Sequence, residues 1–277
     1  MPETQSLPPL AALARRADPD RFLASLFAAP EKREAIWALI GFDHELARAV
    51  PATSQMMTAL IRLQWWRDML AEAEVGAAPR QHEVAAPLHA AITAGVLDAA
   101  DLHPMIDARE IETEEAIPSE EAFFAWARGT AGGWAVAAGR ALGAPPEALA
   151  RLQSIGTVCG VAATLRGAGV AARQGRCLLP EDLLVSAGTT PHEVAHDPRG
   201  PAVKGVVQAL ARRALTMADE ARSAIPRPAM AAALPLVLAR RDLGWLLSPG
   251  YDVAQVPPPR GLGARLAVSW AGMTGRV

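Results

Sequence analysis

The chain has 277 residues, of which 51% are hydrophobic, 5% aromatic and 20% charged, and its formal net charge is −2. That is enough chain and enough aliphatic surface for a large core, and its abundance of Ala and Leu with few β-branched runs favours helix throughout. The near-zero charge points to no partner by itself, no nucleic-acid partner is expected, and no uncharged apolar run approaches the ~20 residues that cross a bilayer. The charge is nevertheless uneven. Residues 1–198 carry 16 Lys and Arg against 25 Asp and Glu, whereas residues 199–277 carry 11 against 4. A basic C-terminal third suits either an anionic membrane surface or the acidic middle of the same chain.

The two cysteines, Cys159 and Cys177, have no metal or redox spacing and read as reduced core residues of a cytosolic chain. The opening MPETQSLPPL lacks the basic and apolar regions of a signal peptide.

In chain order, residues 8–16 form a short helix opened by proline, and Asp18-Pro19-Asp20 starts a second segment that ends near Pro30. Residues 31–49 repeat apolar side chains at three- and four-residue steps (Ile36, Leu39, Ile40, Leu46), with Pro51 as the stop. Residues 55–75 form a long helix bearing Trp65 and Trp66. Adjacent helical residues diverge by about 100°, so one tryptophan belongs to the core and the other is partly exposed. Residues 84–94 form a short apolar helix, and an acidic one runs from Leu102 to about Ala116. Ser119-Glu120-Glu121 caps a helix reaching about Leu142, whose Gly129, Gly132 and Gly133 mark a face approached closely by another backbone or a ligand.

Pro145-Pro146 opens the central helix, apolar at first and then basic at Arg166, Arg173 and Arg176, with Pro180 as its stop. A loop to Pro201 holds His192 and His196, read as surface residues. There follow an amphipathic helix over 203–224, another over 229–247 kinked at Pro235, and a last one over 262–273. No strand alternation, repeat or linker interrupts this pattern. One all-α domain of nine or ten helices over 1–277 is expected.

The run Leu165-Arg166, Gly169, Arg173, Gly175-Arg176, Leu179-Pro180 resembles the second aspartate motif of the squalene/phytoene synthase family, roughly L-R-D-x-x-x-D-x-x-x-G-R-x-x-L-P. The two aspartate positions hold Gly167 and Ala171. The segment from Asp20 to Val50 resembles the family's opening helices, including Ser25 and Phe42, but its end reads Ala47-Arg48-Ala49-Val50-Pro51 where the first aspartates belong. Asp43 has Ala47 at the four-residue step and Glu45 has Ala49. The runs 61–67, 128–143 and 240–253 extend the likeness to nearly the whole chain.

The resemblance implies an isoprenoid synthase-like helical bundle around a central apolar cavity. In that family Mg²⁺, held by paired carboxylates, neutralises the diphosphate leaving group during head-to-head prenyl coupling. The degenerate motifs and the RLQWWR run resemble the branch containing the mitochondrial complex I assembly factor, regarded as non-catalytic. On that reading there is no cofactor or metal, and no catalytic residue. Arg62, Arg67, Arg166, Arg173 and Arg176 form a degenerate diphosphate site or pair with the acidic helix. The implied partners are a prenyl or quinone-like lipid and respiratory complex I subunits, in the cytoplasm and at most peripheral to the inner membrane. The alternative is an active prenyltransferase whose Mg²⁺ is held by Asp107, Glu110 and Glu114. A third reading is a peripheral lipid binder, with Trp270 and Met273 as interfacial contacts.

Overall fold

Local chemistry sets where most helices begin. Asp18 accepts hydrogen bonds from the amides of Asp20 and Arg21 (3.1 and 2.8 Å), Ser119 accepts from Ala122 (3.1 Å), and Thr190 with Glu193 closes a capping box. Proline occupies the first turn of several others, where its missing amide costs nothing.

The computed structural model describes residues 7–50, 56–221 and 225–277. Its helices are α1 (Pro9–Ala17), α2 (Pro19–Ser25), α3 (Arg33–Ala49), α4 (Met56–Glu74), α5 (Ala85–Thr93), α6 (Ala99–Ala108), α7 (Glu120–Ala127), α8 (Gly133–Ala141), α9 (Pro146–Arg173), α10 (Glu181–Ser186), α11 (Pro191–His196), α12 (Pro201–Glu220), α13 (Met230–Ala233), α14 (Pro235–Leu246) and α15 (Leu262–Thr274). No strand occurs among the described residues, and a lone parallel bridge joins Ile117 to Pro180. Gln55 and residues 222–224, read as helix ends, and Pro51, read as a helix stop, lie outside the described residues.

The all-α expectation holds, with differences in detail. The acidic helix starts earlier, at Ala99 under an Asp98 cap, and ends at Ala108. A 3₁₀ turn, Glu110–Thr113, replaces its second half. The segment 119–142 is two helices joined by a π turn, Arg128–Gly132. The loop after Pro180 contains α10 and α11. Pro235 breaks its helix into α13 and α14.

The centre of the bundle is α9, which packs against α8, α12, α14 and the π turn. It is long and apolar enough to cross a membrane by length and composition, but half of its most apolar stretch is buried among its neighbours. It ends at Arg173, not at Pro180. Gly175 turns left-handed (φ +72°), its amide bonds Ala172 O (2.8 Å) and the amide of Arg176 bonds Ala171 O (3.0 Å). These two bonds form a Schellman closure that only glycine accepts without strain. Arg176 therefore lies beyond the helix rather than on it.

The glycine-rich face is a site of close backbone approach, as the sequence indicated. A methyl on Gly156 would fall on the carbonyl oxygen of Ala131 and stand 2.9 Å from the Cα of Gly132. Gly156→Ala is therefore expected to cost about 1–3 kcal/mol through overpacking. Gly205→Ala, in an exposed turn of α12 with no neighbour within 4 Å, should stabilise by about 0.5–1 kcal/mol. Urea unfolding of the two variants checks this, and equal effects would refute the packing account.

Candidate functional site

The aspartate frame noticed in the sequence converges in space. Ala47 of α3 and Gly167 and Ala171 of α9 line one cavity of about 370 Å³, together with residues of α7, the π turn and the 176–179 segment. The frame's non-acidic positions thus face a real internal space. A Cβ added at Gly167 would meet nothing within 4 Å, so the position is open rather than filled by a compensating side chain.

One wall of the cavity is a chain of buried charges. Arg21 of α2 bonds Asp43 of α3 (2.5 Å), and Arg109 bonds the other oxygen of Asp43 (2.9 Å). Arg109 also bonds Glu112 (2.7 Å), whose second oxygen accepts from Arg176 (3.4 Å). Trp126 Nε1 donates to Glu112 (2.9 Å), and Arg21 lies 3.6 Å from the Asp18 carboxylate and 4.2 Å above the Trp134 ring. Arg109 and Glu112 are buried. The groups come from α2, α3, the 3₁₀ turn and the segment after α9, and each enters the interior only because an opposite charge meets it there. Three guanidiniums face three carboxylates, so the wall carries no net charge.

Titration follows from this arrangement. Burial works to raise the Asp43 carboxyl, but Arg21 and Arg109 outweigh it and hold the group below the usual carboxylate range. Burial raises Asp18, the effect of Arg21 being too small to reverse it. Burial also pushes the Cys159 thiol up to about 12, so it is protonated at neutral pH, and Cys177 on the cavity wall is raised for the same reason. Both cysteines are free thiols.

The five arginines singled out in the sequence do not converge. Arg176 alone of them lines this cavity. Arg62 lies on an outer groove of α3 and α4 with Trp65, Trp66 and His82. Arg67 is held by Asp107 (2.7 Å) and Glu110 (2.6 Å) on the outer surface, which also occupies the two acids considered as replacement metal ligands, while Glu114 is exposed on an adjoining cleft that shares Glu112, Arg176, Cys177 and Leu178 with the cavity. Arg166 pairs with Asp242 (3.2 Å), which Arg260 grips with two bonds of 2.6 Å, and Arg173 donates to Ala254 O (3.0 Å). Trp66 is in the core and Trp65 half-buried, as read. His192 and His196 are exposed on α11.

The residues that build the charged wall were largely missed. Asp43 stands out in the sequence only for lacking an acidic partner at the four-residue step. Arg21 and Glu112 were not singled out. One signal existed: Asp43 directly follows fully buried Phe42 in an otherwise apolar helix face, where a charge requires a partner.

A Mg²⁺ ion fits this cavity poorly. Ala47, Gly167 and Ala171 offer no oxygen, the facing carboxylates Asp43 and Glu112 are each bonded by guanidiniums, and the Thr130 and Thr164 hydroxyls donate to helix carbonyls. Among the described residues no three His, Cys, Asp or Glu side chains cluster to hold a metal ion.

A sequence model of the squalene/phytoene synthase family matches residues 14–270. The chain belongs to the squalene/phytoene synthase family. Among solved structures it is similar to a dehydrosqualene synthase in complex with ligand, with 12% identity, 96% of this chain and 94% of that one covered, and a TM-score of 0.79. It is also similar to squalene synthase HpnC from Alicyclobacillus acidocaldarius (18% identity, 85% and 90% covered, TM-score 0.71). YisP from Bacillus subtilis subsp. subtilis strain 168 follows at 15% identity, 94% and 93% covered, and a TM-score of 0.66. At these identities the likeness establishes the isoprenoid synthase-like fold. No match was found among curated protein sequences.

The buried charges give a pH-dependent prediction. A carboxyl depressed in the folded state stabilises fully above its unfolded value of about 4 and loses that contribution as the pH falls toward the folded value. Asp43→Asn should cost about 3–5 kcal/mol at neutral pH, by leaving Arg21 and Arg109 uncompensated. It should also flatten the loss of stability below about pH 4. Unfolding curves between pH 2 and 7 check both effects, and an unchanged acid limb would refute the assignment.

Proposed function

We propose that this member of the family does not carry out Mg²⁺-dependent prenyl coupling and instead holds one prenyl or quinone-like lipid in its central cavity. The observation that carries this reading is the content of the cavity wall. Where a diphosphate would need metal-bearing carboxylates, the wall offers Ala47, Gly167 and Ala171. Of its remaining acids, Asp43 and Glu112 are bonded by arginines of the chain itself, and Asp18 caps α2 by accepting from the amides of Asp20 and Arg21. Ionising an allylic diphosphate requires neutralising the leaving group. A wall with balanced charges has no spare cation for that, whereas small residues such as Ala163 and Ala168, with Leu178 and Leu179, suit an uncharged chain.

The biological setting we propose is assembly of respiratory complex I, with complex I subunits as partners, at the cytoplasmic side of the inner membrane. This rests on the resemblance of the RLQWWR run (61–67), and of the degenerate aspartate motifs, to the branch containing the mitochondrial assembly factor.

Two experiments test the reading. Incubation with Mg²⁺, NADPH and farnesyl or geranylgeranyl diphosphate should give no product above a boiled control by mass spectrometry. A squalene-like or phytoene-like product would instead establish the active prenyltransferase alternative. Native mass spectrometry with geranylgeraniol and a short-chain quinone should show one bound molecule, lost at least tenfold in Ala171→Phe, which fills the cavity. Failure of both ligands to bind the folded protein would overturn the lipid-holding proposal.

A further inference from the structure

The C-terminal helix α15 presents an apolar stripe to solvent. Leu262, Leu266, Trp270 and Met273 are 77, 68, 68 and 63% exposed. At 100° per residue these four positions fall within an arc of about 80°. The opposite face is the one that packs, through buried Val268 and Ala271 and through Gly272, which sits against the ring of Phe27. Four large side chains on the outer face of a docked helix are not explained by the fold, because no described residue covers them.

The charges around the stripe identify what it meets. No Asp or Glu occurs in residues 253–277. Arg265 lies on α15 beside the stripe, and Arg276 follows the end of the helix. Arg15 shares a cleft with Arg265 and Leu26, and Arg227 reaches the C-terminal end of α15 next to Gly275. All four arginines are exposed, and among the described residues none pairs with a carboxylate, whereas Arg260 and Asp20 in the same cleft pair with each other (2.9 Å). A second copy of the chain would bring a second set of the same unpaired arginines against the first. An anionic lipid surface would bring the opposite charge together with an apolar layer at the right depth. At 13 residues α15 is about 20 Å long, too short to cross a bilayer and suited to lying in its interface with the tryptophan at headgroup level.

We infer that α15 is a membrane-docking helix, inserting the Leu262, Leu266, Trp270 and Met273 stripe into the interface of an anionic bilayer, with Arg15, Arg227, Arg265 and Arg276 engaging its headgroups. This surface is separate from the central cavity and does not depend on what that cavity holds.

Sedimentation of the full chain with vesicles tests it. Binding should be strong on vesicles containing phosphatidylglycerol, weak on pure phosphatidylcholine, and should fall as salt rises through the range where the Debye length shrinks from about 30 to 10 Å. Arg265→Gln with Arg276→Gln should weaken binding roughly five- to twentyfold at low salt. Leu266→Ser with Trp270→Ser should abolish it while leaving the circular-dichroism melt unchanged. Trp270→Phe keeps the apolar character and should still bind, but it should remove the blue-shifted fluorescence that vesicles induce in the parent. Equal binding to neutral and anionic vesicles, or unaltered binding by the stripe variant, would overturn the inference. A dimer in sedimentation equilibrium that the stripe variant dissolves would overturn it too, by showing that a second copy covers the stripe.

Discussion

The structure depends on a single constraint, that charges taken out of water must be met by opposite charges. Arg21, Asp43, Arg109, Glu112 and Arg176 satisfy it together, and of the bonds that join them only Arg109–Glu112 is local in sequence. Because the partners lie on α2, α3, the turn after α6 and the segment after α9, their bonds fix the mutual placement of four parts of the chain. Removing one member strands the next, which makes such a chain costly to break even where its net contribution to stability is small.

The same constraint shapes the cavity's chemistry. The cavity wall presents Asp43 and Glu112 already bonded by guanidiniums. Arg109 occupies both Asp43 and Glu112, and the positions opposite carry hydrogen or methyl groups. The space remains open, since a side chain at Gly167 would find no obstacle. A cavity that keeps its shape while its electrostatics are internally cancelled suits an uncharged ligand, and this is the physical basis of the lipid-holding proposal.

How the helices approach one another follows from small residues. Gly156 and Gly160 of α9 let the π turn come within backbone distance, and the π turn in turn carries Thr130 and Ala131 to the cavity wall. Where the sequence pattern reads as one continuous helix, the π turn divides α7 from α8. The extra residue in the turn shifts the register, a local distortion of a kind often found at functional sites. At the far end of the chain the bundle buries one face of α15 and leaves the other uncovered, so its composition is explained by a surface outside the molecule.

The sequence by itself determined the helices, the central role of the segment from Pro146, the position of the disturbance at Pro235 (read as a kink where the chain breaks into two helices) and the resemblance around Gly167 and Ala171. These are encoded in local periodicity, in caps and in residues close together in the chain, where physical preferences act over a few residues. Helix ends were less legible. Gly175 stops α9 before Pro180 does, and the acidic helix gives way to a 3₁₀ turn at Glu110–Thr113, next to the point where Arg109 turns inward. Only the tertiary structure decided which of many arginines are interior. Arg67 and Arg166 looked equivalent to Arg176, yet one pairs on the outer surface and another across to Asp242. The pairing of Arg21 with Asp43, and of Arg109 with both Asp43 and Glu112, spans up to 66 residues. Whether a charge finds its partner across that distance depends on how the helices pack, which no local pattern specifies.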